Sequence, residues 1–105
     1  MTHTITPTDI DGYCLSLRSD ERAAGTVAKY RRDLAAFALW LDGRGVTKEN
    51  AARWKTHLLE HNYKPETVNS KLSAINGFFA YMNWAIRVKF LKIQHQLFRD
   101  PAREL

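Results

Sequence analysis

A single cysteine, Cys14, stands among the 105 residues, which excludes an internal disulfide. It falls in an apolar helical pattern, where an unpaired thiol ordinarily serves as a small buried residue. No run of the chain approaches the roughly 18 apolar residues of a membrane-spanning helix. The opening MTHTITPTD lacks the basic-then-apolar order of a secretory signal, so the expectation is a cytoplasmic protein with no membrane partner. Metal chemistry wants clustered ligands, and four scattered histidines (His3, His57, His61, His95) do not supply them. His57 and His61 are four apart on one helical face and read as a solvated pair. There is no glycine-rich phosphate loop and no nucleophile elbow. Asp9 and Asp11, two apart, would not face each other on a helix as an acid–base pair does. The expectation is therefore no catalytic residue, no metal and no cofactor.

What is present begins with charge. The net charge is +5, unevenly placed. Residues 1–20 carry Asp9, Asp11 and Asp20 against Arg18. Residues 64–99 carry Lys64, Lys71, Arg87, Lys89, Lys92 and Arg99 against Glu66. That asymmetry points the later part of the chain toward an anionic partner, nucleic acid among them. With an ordinary globular composition of 45% apolar and 26% charged residues, the length fits one domain with one core.

The hydrophobic pattern predicts four helices and a tail. The first starts near Thr6, with Pro7 where its missing N–H costs nothing, and repeats through Ile10, Tyr13, Cys14 and Leu17. Gly12 weakens it and SDERAAG closes it. The second, with Thr26 as its expected cap, runs its stripe through Val27, Tyr30, Leu34, Phe37 and Leu41 to the Gly43-Arg44-Gly45 stop. Thr47 opens the third, which turns Ala51, Trp54 and Leu58 inward and ends at HNYKP. Pro65 launches the fourth, with Val68, Leu72, Ile75, Phe79 and Met82 on one face and Phe78 beside them. Beyond Trp84 the period degrades into a basic, roughly alternating stretch, read as an extended arm or short hairpin. The expected division is a helical domain over 1–85 and a basic arm over 86–105.

The side of the fourth helix away from its apolar stripe is unusual. It holds Ser70, Ser73, Ala74 and Gly77, flanked by Asn69, Asn76 and Lys71, where a solvated helix carries longer polar residues. Small hydroxyl and amide groups admit close approach and still offer donors to phosphates and base edges. The helix start adds unpaired N–H groups near Thr67 and a positive dipole end. A small face packs equally well against another helix, so both readings stand. Lys29 and Arg32 on the back of the second helix, with Arg31 on its flank, fit either a solvated face or an anion-binding one.

Two segments together resemble one family. TVAKYRRDLAAFALWLDGRG is similar to the TxxxYxxDLxxFxxWLxxxG pattern of the N-terminal half of tyrosine recombinases, through Thr26, Tyr30, Asp33, Leu34, Phe37, Trp40, Leu41 and Gly45. TVNSKLSAINGFFAYM resembles that family's TxNxxLSAxxxFFxY segment, through Thr67, Asn69, Leu72, Ser73, Ala74, Phe78, Phe79 and Tyr81. The tail KIQHQLFRDPAREL resembles the linker into the catalytic domain in integrases of Gram-positive conjugative transposons. The resemblance covers residues 5–105. It implies an all-α, compact four-helix (SAM-like) bundle with a basic extended C-terminal arm, the core-binding domain that clamps DNA together with a catalytic domain.

The resemblance also implies a set of contacts with double-stranded DNA. Carried over position by position, it assigns them to Thr26, Lys29 and Arg32 on the second helix, and to Lys64, Thr67, Asn69, Ser70, Lys71, Ser73 and Asn76 on the fourth. The catalytic arginines, lysine, histidines and tyrosine of the family lie in a C-terminal domain that this sequence does not contain. The chain is thus expected to be a non-enzymatic piece of a longer recombinase, monomeric alone and joined by its catalytic domain and other protomers in a tetramer on DNA. The alternative is a SAM-like protein-interaction module that dimerises through its Ser70/Gly77 face and has no DNA affinity.

Overall fold

Thr6 begins the first helix by satisfying two backbone donors reciprocally. Its hydroxyl accepts from the Asp9 N–H at 3.1 Å, while the Asp9 carboxylate accepts from the Thr6 N–H at 3.2 Å. This capping box sets the start of α1, Pro7–Ser19, in a computed structural model that describes residues 3–92. Thr47 caps α3, Lys48–Glu60, with one bond only, its hydroxyl accepting from the Asn50 N–H at 3.0 Å. Two helices start without a side-chain cap: α2, Ala24–Leu41, behind Ala23, and α4, Pro65–Tyr81, behind Lys64. Thr26, expected to cap α2, instead lies within its first turn. Ala24 and Gly25 extend the helix backwards, and the Val27 N–H finds the Ala23 carbonyl at 3.1 Å.

Three of the helices end alike. After α1, Arg22 N–H reaches back to Leu17 O at 3.1 Å and Glu21 N–H to Arg18 O at 2.9 Å, with Glu21 left-handed at φ 61°. The same pair of bonds closes α3 around Asn62, φ 65°, and α4 around Asn83, φ 63°. This is the Schellman arrangement, in which the last carbonyls are satisfied by a chain reversal that glycine makes most easily. Asparagine tolerates the left-handed region, whereas glutamate gains nothing there. Glu21→Gly should therefore raise stability by about 0.5–1 kcal/mol, the relieved backbone strain outweighing glycine's extra entropy cost. The check is a higher urea midpoint at unchanged m-value.

The core forms where the four apolar stripes meet. Leu34 and Phe37 of α2 meet Val68, Leu72, Ile75, Phe78 and Phe79 of α4, all wholly buried. Phe37 lies 4.8 Å from the Trp54 ring of α3 and 6.1 Å from that of Phe79, centroid to centroid. Tyr13 of α1 meets Phe78 edge-on at 5.8 Å. These are the inward residues that the spacing predicts, and the architecture is an all-α bundle of four helices.

The helix α4 is the central element, covered on more than its apolar side. Ala74 is fully buried, and a Cβ placed on Gly77 would run into the Tyr13 hydroxyl. Ser73 Oγ stands 3.5 Å from the Tyr30 hydroxyl, and Tyr30 lies parallel to Tyr13 at 6.5 Å. The small face of α4 is thus a seat for two tyrosines of α1 and α2. Burial there raises the Tyr13 pKa above its ordinary value, with the neighbouring Tyr30 adding to the effect.

The chain on either side of the bundle is tied to it. Val46 N–H donates to His3 O at 2.7 Å, and the His3 ring stacks on Trp84 at 4.3 Å. Residues 85–92 form neither strand nor hairpin, yet Val88 is buried in the core. Of the basic arm, residues 93–105 lie outside the described residues.

Candidate nucleic-acid interface

On α2, Thr26, Lys29 and Asp33 succeed one another at i, i+3 and i+7, along the flank nearest the first half of α4. Asp33 is almost fully buried, with only 5% of its side chain exposed, and it carries two ion pairs there. Lys29 Nζ donates to one carboxylate oxygen and Lys71 Nζ of α4 to the other, the latter at 3.1 Å. Lys29 also donates to the Ser70 carbonyl at 3.3 Å. One buried carboxylate therefore fixes two lysines from different helices and leaves the cluster a net positive charge. The lysines keep 32% and 20% of their side chains exposed. Each ammonium also lies over an aromatic face, Lys29 above Tyr30 at 5.4 Å and Lys71 above Tyr63 at 5.3 Å.

Neighbouring cations differ in how far they are committed. Arg31 pairs with Asp11 of α1, a hydrogen bond that raises the arginine's pKa further above its already high value. Arg32 is exposed and pairs with no carboxylate among the described residues. Lys64 is exposed at the uncapped start of α4, with half-buried Thr67 and Ser70 just behind it. The first-turn N–H groups there have no side-chain acceptor and a positive dipole end behind them.

Three of the remaining residues assigned to DNA contact, Asn69, Ser73 and Asn76, are engaged within the fold. Both polar atoms of the Asn76 amide pair with Val88, and both of Asn69 with Leu91. Ser73 is under Tyr30. Thr26 is half-buried at the start of α2. Contacts join Lys29, Ser70 and Lys71 around Asp33, while Arg32 and Lys64 stand exposed, and Thr67 half-buried, on the same two helices. Sequence reasoning quoted Asp33 only as part of a pattern. Its position four residues after Lys29, the spacing of a helical ion pair, was the available signal.

No metal-type cluster forms among the described residues. The His57 and His61 rings lie 4.1 Å apart, tilted by 44°, and a ring nitrogen of His61 meets the His57 carbonyl at 2.8 Å. No helix among the described residues is long and apolar enough to cross a membrane.

The model of the phage integrase N-terminal SAM-like domain matches residues 10–85, from the fourth residue of α1 through the turn after α4. The chain is 37% identical over 67 residues to tyrosine recombinase XerD of Pseudomonas aeruginosa, covering 56% of this chain and 22% of that protein. It is 33% identical over 72 residues to tyrosine recombinase XerC of Roseiflexus castenholzii, covering 61% of this chain and 23% of that protein. The matched region thus spans less than a quarter of either relative. No solved structure matches the chain significantly. With the match running from within α1 through the end of α4, the chain belongs to the phage integrase N-terminal SAM-like domain family.

Proposed function

We propose that the chain binds double-stranded DNA as the core-binding domain of a site-specific tyrosine recombinase. It grips the core site for integration or excision, while cleavage and rejoining are carried out by residues of another domain. The observation that carries this reading is the cluster at the junction of α2 and α4: Asp33 holds Lys29 and Lys71 side by side, and Arg32 and Lys64 stand exposed on the same two helices. A cationic surface built across two rigid helices suits phosphate oxygens spaced along a duplex. Thr67, Ser70 and the open first turn of α4 add neutral donors between the charges. The likeness to tyrosine recombinases supports the same partner.

Further parts of the reading rest on the resemblance. They are the catalytic domain as a neighbour, other protomers in a tetramer on DNA, a monomeric state for the domain alone, and a cytoplasmic location. The division at residue 85 and the kinship of the tail with integrases of Gram-positive conjugative transposons belong here too. Against the alternative of dimerisation through Ser70 and Gly77 stands the packing of that face, where Tyr13 already covers Gly77.

The test is fluorescence anisotropy of a labelled duplex titrated with the chain at several salt concentrations. Binding should weaken steeply with salt, and Arg32→Ala should lower the slope of log affinity against log salt by about one unit. Arg32 is the cleanest probe because its removal breaks no ion pair among the described residues. Salt-insensitive self-association without duplex binding would favour the protein-interaction reading.

A further inference from the structure

Asn69 and Asn76 do with side chains what a sheet edge does with its backbone. Asn76 Nδ2 donates to the Val88 carbonyl at 2.9 Å, and its Oδ1 accepts from the Val88 N–H at 2.9 Å. Asn69 treats Leu91 likewise, at 2.9 and 2.7 Å. The spacings agree: seven residues of helix rise about 10.5 Å, and three residues of extended chain span about 10 Å. Between the two clamps, Lys55 Nζ of α3 donates to the Lys89 carbonyl at 2.7 Å. Val88 is buried, and Ile86 and Leu91 are half-buried against the core.

The order of these contacts gives the segment a direction. Val88 sits opposite the later half of α4 and Leu91 opposite its second turn, so residues 86–92 run antiparallel to α4, back toward its start. Exposed Lys89 and Lys92 are thereby carried toward the end that holds Lys64, Thr67 and Ser70. Neither pairs with a carboxylate among the described residues. On the helix, Asn69 and Lys71 point about 160° apart. The segment therefore flanks the Thr67–Ser70 ridge on one side, and the Lys29–Asp33–Lys71 cluster flanks it on the other.

We infer that Asn69 and Asn76 are positioning residues that clamp residues 86–92 along α4, and that Lys89 and Lys92, held there, are further contacts for the phosphate backbone of a DNA duplex. This rests on the DNA-binding reading above and widens the bound surface from one flank of the ridge to both. The two asparagines act through the chain they hold, and the lysines meet the ligand.

The test uses the full chain and the labelled duplex. Lys89→Ala/Lys92→Ala should weaken binding roughly tenfold at low salt and lower the salt slope by about two units. Asn69→Ala, chosen because Asn76 is buried, should lower affinity and slope while leaving every lysine in place. It should also speed tryptic cleavage after Lys89 and Lys92, with helical content unchanged by circular dichroism. Introduced into the Lys89→Ala/Lys92→Ala chain, Asn69→Ala should cause no further loss of affinity, since the clamp acts on binding through those lysines.

The inference fails if the native chain binds and Arg32→Ala weakens it while the double lysine variant keeps native affinity and slope. The positioning role fails if Asn69→Ala binds as the native chain does, or if its loss adds in full to that of the lysine pair. A native chain that binds no duplex at low salt overturns the DNA-binding reading itself.

Discussion

Phe37→Ala should destabilise the bundle by about 3–5 kcal/mol. That is a large share of the roughly 5–15 kcal/mol that holds a natural domain folded. Phe37 is wholly buried where three helices converge, with Trp54 of α3 at 4.8 Å, Phe79 of α4 at 6.1 Å and Trp40 of its own helix at 6.3 Å. Removing the ring loses its transfer free energy and opens a cavity whose walls are themselves rigid rings. Such walls cannot collapse inward by changing rotamer as aliphatic chains do, so the cavity persists and adds its own cost. The aromatic pairs contribute about 0.5–1.5 kcal/mol each beyond area alone. Urea unfolding followed by tryptophan fluorescence measures the loss directly, since Trp40 and Trp54 border the site. Phe37→Leu, which keeps most of the volume, should cost less than about 1.5 kcal/mol. Equal and small losses for both variants would mean that the helices do not depend on this ring.

The position of Phe37 was legible in the sequence because a buried stripe at helical spacing has one physical cause, and all four stripes were read from it. Caps were legible where a hydroxyl stands directly before the first helical residue, as at Thr6 and Thr47. Thr26 misled because Ala23 offers the backbone a start without a side-chain signal. The small face of α4 was harder. Ser73, Ala74 and Gly77 permit close approach by anything, and what fills the space is Tyr13 and Tyr30, residues far away in the chain. Local pattern cannot choose between a ligand and a distant side chain of the same chain. The two asparagines illustrate the same limit. Their seven-residue spacing and the Ile86/Val88 alternation are each visible, but only the folded chain puts them opposite one another. For the candidate site, then, the charges were readable and their availability was not.

Asp33→Asn should move stability and DNA affinity in opposite directions. In the native chain this carboxylate is nearly inaccessible and accepts from both Lys29 and Lys71. An asparagine keeps the shape but removes the charge, so two charge-assisted hydrogen bonds become one weak one at best, and two ammonium groups are left facing each other. The cost should be about 1–3 kcal/mol. It stays below the loss for a fully buried pair because both lysines reach solvent and can turn outward. On the proposed interface the same change adds one positive charge and releases two lysines from their acceptor. Duplex affinity at low salt should rise several-fold and the salt slope by about one unit. Chemical denaturation and anisotropy on the same preparation read both effects. A purely structural ion pair predicts lower stability with unchanged or weaker binding. A carboxylate that holds two lysines at a DNA surface predicts lower stability with tighter binding, because the charge that orders the site also neutralises part of it.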